Sequence, residues 1–162
     1  MSKKKTDYGL TDAFPEVDCN ETPLGDCIIV QLKLAPKKLE SGLYLAQETI
    51  DQESYDNTVG KVILIGPDAF KYFNKEDGTL KKWPGERWYQ VGDYVRIPKH
   101  PRTGFFKRVT REYKESRTFK DDDGYETVET VTEKDNITFC ILQEAEILSK
   151  IIDPLKELTI NK

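Results

Sequence analysis

The chain has 162 residues, which is enough for one domain with its own core, and its formal net charge is −4. Charged residues make up 33% of the chain, and this near-balanced charge argues against a nucleic-acid-binding protein, which would carry an excess of basic residues. No apolar run approaches the roughly 20 residues that a membrane-spanning helix requires, and the first residues do not resemble a signal peptide.

The cysteines indicate a reducing compartment. Cys19, Cys27 and Cys140 show no Cys-x-x-Cys spacing, and an odd number of unpaired cysteines is typical of cytoplasmic proteins. Cys27 and Cys140 lie within apolar strand patterns, where a free thiol behaves as a small hydrophobic group. We therefore expect a cytoplasmic protein.

The first elements are a polar extension and a strand. Residues 1–21 are polar and lack periodicity, so we expect a mobile N-terminal extension. A turn follows, and Cys27–Leu32 is typical of a strand. Because side chains alternate along a strand, Ile28 and Val30 should share one face, with Ile29 and Gln31 on the other.

A long polar segment, residues 33–58, separates this strand from a second one over residues 60–65. Three apolar residues, Leu43, Tyr44 and Leu45, lie alone near its middle. Connections of this length are usually functional or disordered, so we predict a mobile loop that binds a partner. The alternative is that the triplet forms a short edge strand packed on this protein's own sheet.

Residues 67–90 form an insertion rich in aromatic residues, with an Asp77-Gly78 turn signal. We expect a hairpin whose aromatic side chains form a local core, the alternative being a ligand surface. The turn Val91-Gly92-Asp93 then leads into a strand over residues 94–98.

The last third of the chain is predicted to contain a short strand over residues 104–109, a charged hairpin over 110–135 and a final strand over 137–142. A short helical piece is expected within residues 143–158, interrupted by Pro154, with a C-terminal tail over 151–162. Many short strands separated by glycine and proline turns favour an all-β barrel or sandwich over residues 22–150.

No residue pattern indicates catalysis. The single histidine, His100, lies in a predicted loop. The Asp121-Asp122-Asp123-Gly124 stretch lacks the spacing of a calcium-binding loop and is better explained as a solvated turn. No nucleotide-binding or nucleophile motif is present. We expect a protein that is not an enzyme, with no cofactor and no metal.

Five sequence features, taken in order, resemble the GroES-like co-chaperonins of the chaperonin-10 family. They are Pro23-Leu24-Gly25-Asp26 with Ile28-Ile29-Val30, the Gly42-Leu43-Tyr44-Leu45 loop, Gly60 to Gly66, Val91-Gly92-Asp93-Tyr94-Val95, and Glu144-Ala145-Glu146-Ile147 after the last strand. The resemblance covers about half of the chain. The extensions and the charged hairpin have no counterpart in the smallest members, so the chain resembles an enlarged, virus-encoded relative.

The resemblance implies a GroES-like β-barrel and a seven-membered ring that closes a GroEL-like chaperonin during ATP-driven protein folding. It implies that Leu43, Tyr44 and Leu45 are docking anchors and that Gly42 gives the turn its backbone freedom. Tyr44 departs from the aliphatic residue that the family prefers. The implied subunit interface comes from the first and last strands, with Ile28, Val30, Phe139, Ile141 and Leu142.

A second function remains open at this point. Long polar termini, a charged hairpin and a divergent triplet also fit a phage virion component that uses the same fold to clamp neighbouring capsid or tail subunits. In that case the protein would be found in the virion. A metabolic enzyme is a weaker alternative, because the nucleotide-binding half of such enzymes is missing.

Overall fold

The computed structural model describes residues 9–35 and 58–158, which fold into antiparallel β-structure with almost no helix. The all-β class predicted from the sequence is confirmed. The elements of these ranges are α1 (Leu10–Ala13), β1 (Cys27–Leu32), β2 (Val59–Ile65), β3 (Lys71–Asn74), β4 (Thr79–Lys82), β5 (Tyr94–Arg96), β6 (Phe105–Lys120), β7 (Glu126–Gln143) and β8 (Ser149–Lys150), with short 3-10 turns at Glu144–Glu146 and Pro154–Leu158.

Six strands form one sheet in the order β6-β7-β1-β2-β5-β8, while β3 and β4 form a separate hairpin. Every neighbouring pair is antiparallel. In this part of the chain β6 and β8 are the two edges, so hydrogen bonding gives an open sheet and not a closed barrel.

Strand β1 lies near the centre of the sheet, between β7 and β2. Ile28 and Val30 belong to one apolar cluster and Ile29 belongs to another, which confirms the predicted division of faces. Both faces of the strand are therefore covered. Such burial on both sides explains why five of its six residues are buried.

The first face of the sheet is covered by the segment that carries the β3–β4 hairpin. Phe70 and Tyr89 pack there with ring centroids 4.9 Å apart, and the Tyr89 hydroxyl donates to the Glu144 backbone oxygen at 2.9 Å. Burial, and secondarily the charge of Glu144, raises the pKa of Tyr89 well above its usual value. Tyr89 therefore joins this segment to the end of β7 as a neutral hydrogen-bond donor.

The second face is covered by the N-terminal segment, which corrects the expectation of a mobile extension for residues 9–21. Phe14 and Cys19 are buried, and the Leu34 amide donates to the Ala13 backbone oxygen at 2.8 Å. The side chain of Gln31, only 1% exposed, donates to the Pro15 backbone oxygen at 2.8 Å. A buried amide of this kind needs a partner, and the N-terminal segment supplies it.

The last strands differ from the prediction of a short strand, a hairpin and a final strand. β6 and β7 run without interruption and pair in one register from Phe105↔Ile141 to Lys120↔Glu126. Neither strand contains glycine or proline, so nothing in the sequence breaks the ladder between the predicted pieces. We call the outer part of this ribbon, residues 110–136, the β-arm.

The predicted helical piece over residues 143–158 is instead two 3-10 turns separated by the short strand β8. Ile147 packs against the first core and Ile151 against the cluster of Ala13, Phe14 and Val59. Because these two residues contact different clusters, the segment runs along the sheet instead of presenting one helical face.

Glu146 stabilises the turn between β5 and β6, and its effect should depend on pH. Its carboxylate accepts hydrogen bonds from the backbone amides of Arg102 at 2.6 Å and Thr103 at 3.2 Å, and from Thr103 Oγ1 at 2.6 Å. Desolvation by burial alone would raise the pKa of Glu146, but these hydrogen bonds outweigh it and lower the pKa.

We expect Glu146→Gln to lower the free energy of unfolding by about 1 kcal/mol at pH 7. A carboxylate with a lowered folded-state pKa stabilises the fold above its unfolded-state pKa, and this contribution is lost as the pH falls through the folded-state value. Urea denaturation of both proteins between pH 7 and pH 3 measures the effect. If the difference in free energy of unfolding between the two proteins stayed constant down to pH 3, this role of the Glu146 carboxylate would be contradicted.

Candidate functional site

The predicted binding triplet, Leu43, Tyr44 and Leu45 with Gly42, lies outside the described residues, as does its alternative as an edge strand. What the structure defines is the place where that segment leaves and rejoins the sheet. Leu32 of β1 pairs with Gly60 of β2, and the Lys33 amide donates to the Val59 backbone oxygen at 3.1 Å. The described residues on either side of this segment therefore lie at one end of the β1–β2 pair.

Hydrogen bonds hold both ends of this segment. The Thr58 backbone oxygen accepts from the Ile97 amide at 2.8 Å, and its hydroxyl accepts from Arg96 Nη1 at 3.0 Å. On the other side, the Leu34 amide bonds to the N-terminal segment through Ala13. The described residues on either side of the segment are thus bonded to β5 and to the N-terminal segment.

Charged groups join the C-terminal turn to the same place. Arg96 Nη2 lies 3.0 Å from Glu157 Oε1, and Lys33 Nζ donates to the Glu157 backbone oxygen at 2.6 Å. The Arg96 and Glu157 side chains are each about one-third exposed, so the pair adds at most about 1 kcal/mol of stability. The main effect of this ion pair is to hold the C-terminal turn beside β5. We call Lys33, Thr58, Arg96 and Glu157 the loop base.

The five residues predicted for a subunit interface lie within the sheet of a single chain. Ile28 pairs with Leu142, and Ile29 pairs with Ile141. Ile28, Val30, Phe139 and Leu142 are at most 1% exposed, and Ile141 packs against the second core. The structure accounts for these side chains as core, and their participation in a subunit contact stays a prediction.

Sequence reasoning missed a more accessible apolar surface beside β8. Leu148 is 64% exposed and Ile152 is 98% exposed, whereas Ile147 and Ile151 point into the core clusters. The signal was present as two apolar pairs, Ile147-Leu148 and Ile151-Ile152, on either side of a short strand. A single buried face requires only one apolar residue of each pair.

The aromatic insertion divides into buried and exposed parts, which changes the expectation of a local core. Phe70 and Tyr89 are buried, but Trp83 and Trp88 are 42% and 59% exposed. Together with Tyr72 these rings make a chain of edge-to-face contacts with centroid distances of 4.9 to 6.4 Å. Beside the rings lies a shallow cleft of about 260 Å³ that includes Lys82 and Arg87.

The remaining candidates for chemistry have structural explanations. His100 is exposed in a bend, and Asp121 Oδ1 accepts from the backbone amides of Asp123 and Tyr125 at 3.1 and 2.8 Å, which closes the turn of the β-arm. Within residues 9–35 and 58–158, no group of three or more histidine, cysteine or acidic residues is arranged to hold a metal ion.

The cysteines differ in accessibility, which predicts selective labelling. Cys19 and Cys140 are buried, whereas Cys27 is partly exposed. Burial, and secondarily the charge of Glu146, raises the pKa of Cys140 to about 12, so its thiol stays protonated and unreactive at neutral pH.

We expect one thiol per chain to react rapidly with a thiol reagent in the native protein and three to react in denaturant. Cys27→Ser should remove the rapid phase alone. Labelling of Cys140 as fast as Cys27, located by peptide mass spectrometry, would show that this part of the sheet opens readily.

In the described part of the chain, no helix has the length and apolar character needed to cross a membrane. Comparison with known proteins adds no assignment. No protein-family model matches the chain, and no curated protein matches its sequence.

Proposed function

We propose that this protein is a ring-forming co-chaperonin whose loop, residues 36–57, docks on a GroEL-like chaperonin during protein folding. The observation that carries the proposal is the position of this segment between two paired strands. The described residues on either side of it form the loop base, and its sequence has an isolated apolar triplet near the middle. A fixed base combined with an apolar centre suits a docking loop that is held at a constant point on a rigid body.

The order of the family-like motifs along the strands supports the same proposal. The Pro23–Asp26 turn leads into β1, Gly60 to Gly66 covers β2, and Val91-Gly92-Asp93 leads into β5. Gly92 has a φ of 96°, a backbone conformation in which glycine is favoured, so this turn requires that residue type. A GroES-like barrel would be formed by this sheet together with the segment that covers its first face.

The energetics of the loop favour a ring. Burying three apolar side chains contributes roughly 5–8 kcal/mol, whereas ordering a loop costs about 1–2 kcal/mol for each residue that becomes fixed. One loop should therefore bind weakly. Several loops on one assembly bind together, because each attached loop raises the effective concentration of the next.

The surface beside β8 is a candidate for the contact between subunits. β8 is an edge strand of only two residues, and it is flanked by the exposed side chains of Leu148 and Ile152. Exposed apolar groups at a sheet edge suit coverage by another subunit. A ring of seven is the number that the family resemblance implies.

Co-migration with a purified chaperonin tests the proposal. In the presence of ATP or ADP, this protein should elute with the chaperonin on gel filtration, and Leu43→Asp should reduce that binding at least tenfold. Leu80→Asp is the matched control, because Leu80 is 56% exposed on β4, outside the loop. Absence of binding by the unchanged protein with either nucleotide would exclude the lid function.

A virion component remains the second candidate, and the β-arm is the observation that favours it. A long exposed ribbon is a common device for clamping neighbouring subunits. Mass spectrometry of purified particles distinguishes the two functions, because a structural component would be present in stoichiometric amounts and a folding factor would be absent.

A further inference from the structure

The β-arm extends beyond the rest of the sheet. From Arg111↔Asp135 to Lys120↔Glu126 the ribbon continues for ten residue pairs, or about 30 Å at the usual rise of a strand. β1 pairs with β7 only from Phe139 to Gln143, so within the described residues neither strand of the β-arm has a third strand beside it.

An isolated two-stranded ribbon of this length is poorly stabilised in water. Such hairpins are at best marginally stable without a third strand or a packed layer. In the β-arm the side chains of Phe119, Tyr125 and Val128 are 46%, 73% and 68% exposed, so the tip carries apolar groups that nothing in the described chain covers. Both outer edges also present a strand against which another strand can pair.

The two edges carry opposite charge. Along residues 110–120 of β6 the sequence has four basic and two acidic residues, whereas along residues 126–136 of β7 it has four acidic and one basic. Lys114 and Lys120 on β6, and Glu126 and Glu129 on β7, are all exposed. The β6 edge of one chain therefore complements the β7 edge of another copy.

Geometry allows this pairing without any change of fold. When copies are related by rotation about an axis parallel to the arms, the arms project in the same direction, and the outgoing β6 of one copy can lie beside the returning β7 of the next. The two strands are then antiparallel, which is the arrangement already used by every pair in the sheet. Such a head-to-tail contact closes into a ring when the rotation permits.

We propose that the β-arm is an assembly element in which the β6 edge of one copy pairs with the β7 edge of a second copy of this chain. The pairing supplies the third strand that each ribbon lacks and covers the exposed tip residues. This contact is separate from the loop and does not depend on a chaperonin being the partner.

Hydrogen exchange of the full chain, followed by mass spectrometry, tests the proposal. Peptides from residues 110–136 should exchange at least tenfold more slowly in the assembled protein than after dilution to the monomer. Two charge-reversed variants, Lys114→Glu with Lys120→Glu and Glu126→Lys with Glu129→Lys, should each lose this protection. A control variant in the β3–β4 turn, Lys75→Glu with Glu76→Lys, should keep it.

Mixing the variants separates contacts between copies from contacts within one chain. Each variant alone presents like charges on both edges, but an equal mixture of the two restores opposite charges between different copies, so protection should return. The variant that combines all four substitutions should also be protected. Rapid exchange of the β-arm at every concentration of the unchanged protein, or protection that does not return on mixing, would overturn the proposal.

Discussion

Replacing Phe14 with alanine is expected to lower the free energy of unfolding by about 3–5 kcal/mol, although this residue lies in a polar segment near the N terminus. Its side chain is only 4% exposed and meets the Tyr94 ring edge-to-face at 5.1 Å between centroids. Phe14 forms a cluster with Ala13 and Val59, so it fastens the N-terminal segment to β2 and β5. Its loss would leave a cavity where these elements meet.

Chemical denaturation measures this effect, and Phe73→Ala provides a matched control. Phe73 is 59% exposed on β3, so its removal should change the free energy of unfolding by about 0.5 kcal/mol or less. Equal effects of the two substitutions would mean that the N-terminal segment does not contribute to the stability of the sheet. The Phe14 variant should also expose Cys19 to thiol reagents, because Cys19 lies in the same segment and is buried where that segment packs on the sheet.

The central strands could be predicted because burial leaves a regular pattern in them. Alternation of Ile28, Ile29 and Val30 identified β1 and divided its faces correctly. Turns at Asp77-Gly78 and Val91-Gly92-Asp93 identified the β3–β4 hairpin and the start of β5. At these positions local preferences and the final fold agree, so short stretches of sequence carry the information.

The N-terminal segment could not be predicted in this way. It packs on the sheet through separated side chains, such as Phe14 and Cys19, and through hydrogen bonds that include those from Gln31 to Pro15 and from Leu34 to Ala13. These contacts join residues far apart in sequence and produce no repeat. The uninterrupted β6–β7 ribbon is predicted as a short strand, a charged hairpin over 110–135 and a final strand, because the outer residues of the ribbon are exposed on both faces and do not continue the apolar pattern of the inner residues.

The binding loop that the sequence predicts from its length and apolar triplet lies outside the described residues and stays a prediction. The loop base could not be predicted, because it depends on Arg96 and Glu157, which are 61 residues apart and meet only in the fold. Strands buried in a core and strands buried in a subunit contact have the same composition. The family resemblance implies an interface at Ile28, Val30, Phe139 and Leu142, and since these side chains are also buried in the core of a single chain, their part in a subunit contact stays a prediction.

Close backbone contacts hold the end of the β1–β2 pair that lies opposite to the loop base. Residues 36–57 join β1 to β2 at the loop base, while at the other end of this pair the chain crosses itself closely. The Gly66 amide donates to the Cys27 backbone oxygen at 2.8 Å, and the Asp68 amide donates to the Gly25 backbone oxygen at 2.8 Å. These bonds fix the relative position of β1 and β2, on which the loop base depends.

Gly66→Ala is expected to destabilise the protein by about 3 kcal/mol, at the upper end of the cost of overpacking. A Cβ atom at this position would lie 2.5 Å from the Gly25 backbone oxygen and 2.6 Å from that of Cys27. Both neighbours are backbone atoms of a hydrogen-bonded turn, so neither can move without breaking the bonds that join β1 to β2. Urea denaturation measures the loss.

Gly85→Ala distinguishes this steric effect from the general cost of replacing glycine. A Cβ atom at Gly85 would lie 3.5 Å from Trp83 Nε1, an ordinary contact, and its φ is not in the left-handed region. Alanine there should be neutral or stabilise the fold by about 0.5 kcal/mol, because it restricts the unfolded chain. If Gly66→Ala were equally well tolerated, the crossing of residues 25–27 over residues 66–68 would not be a rigid contact. The close packing of β1 against the end of β2 would then have no part in fixing the relative position of the two strands.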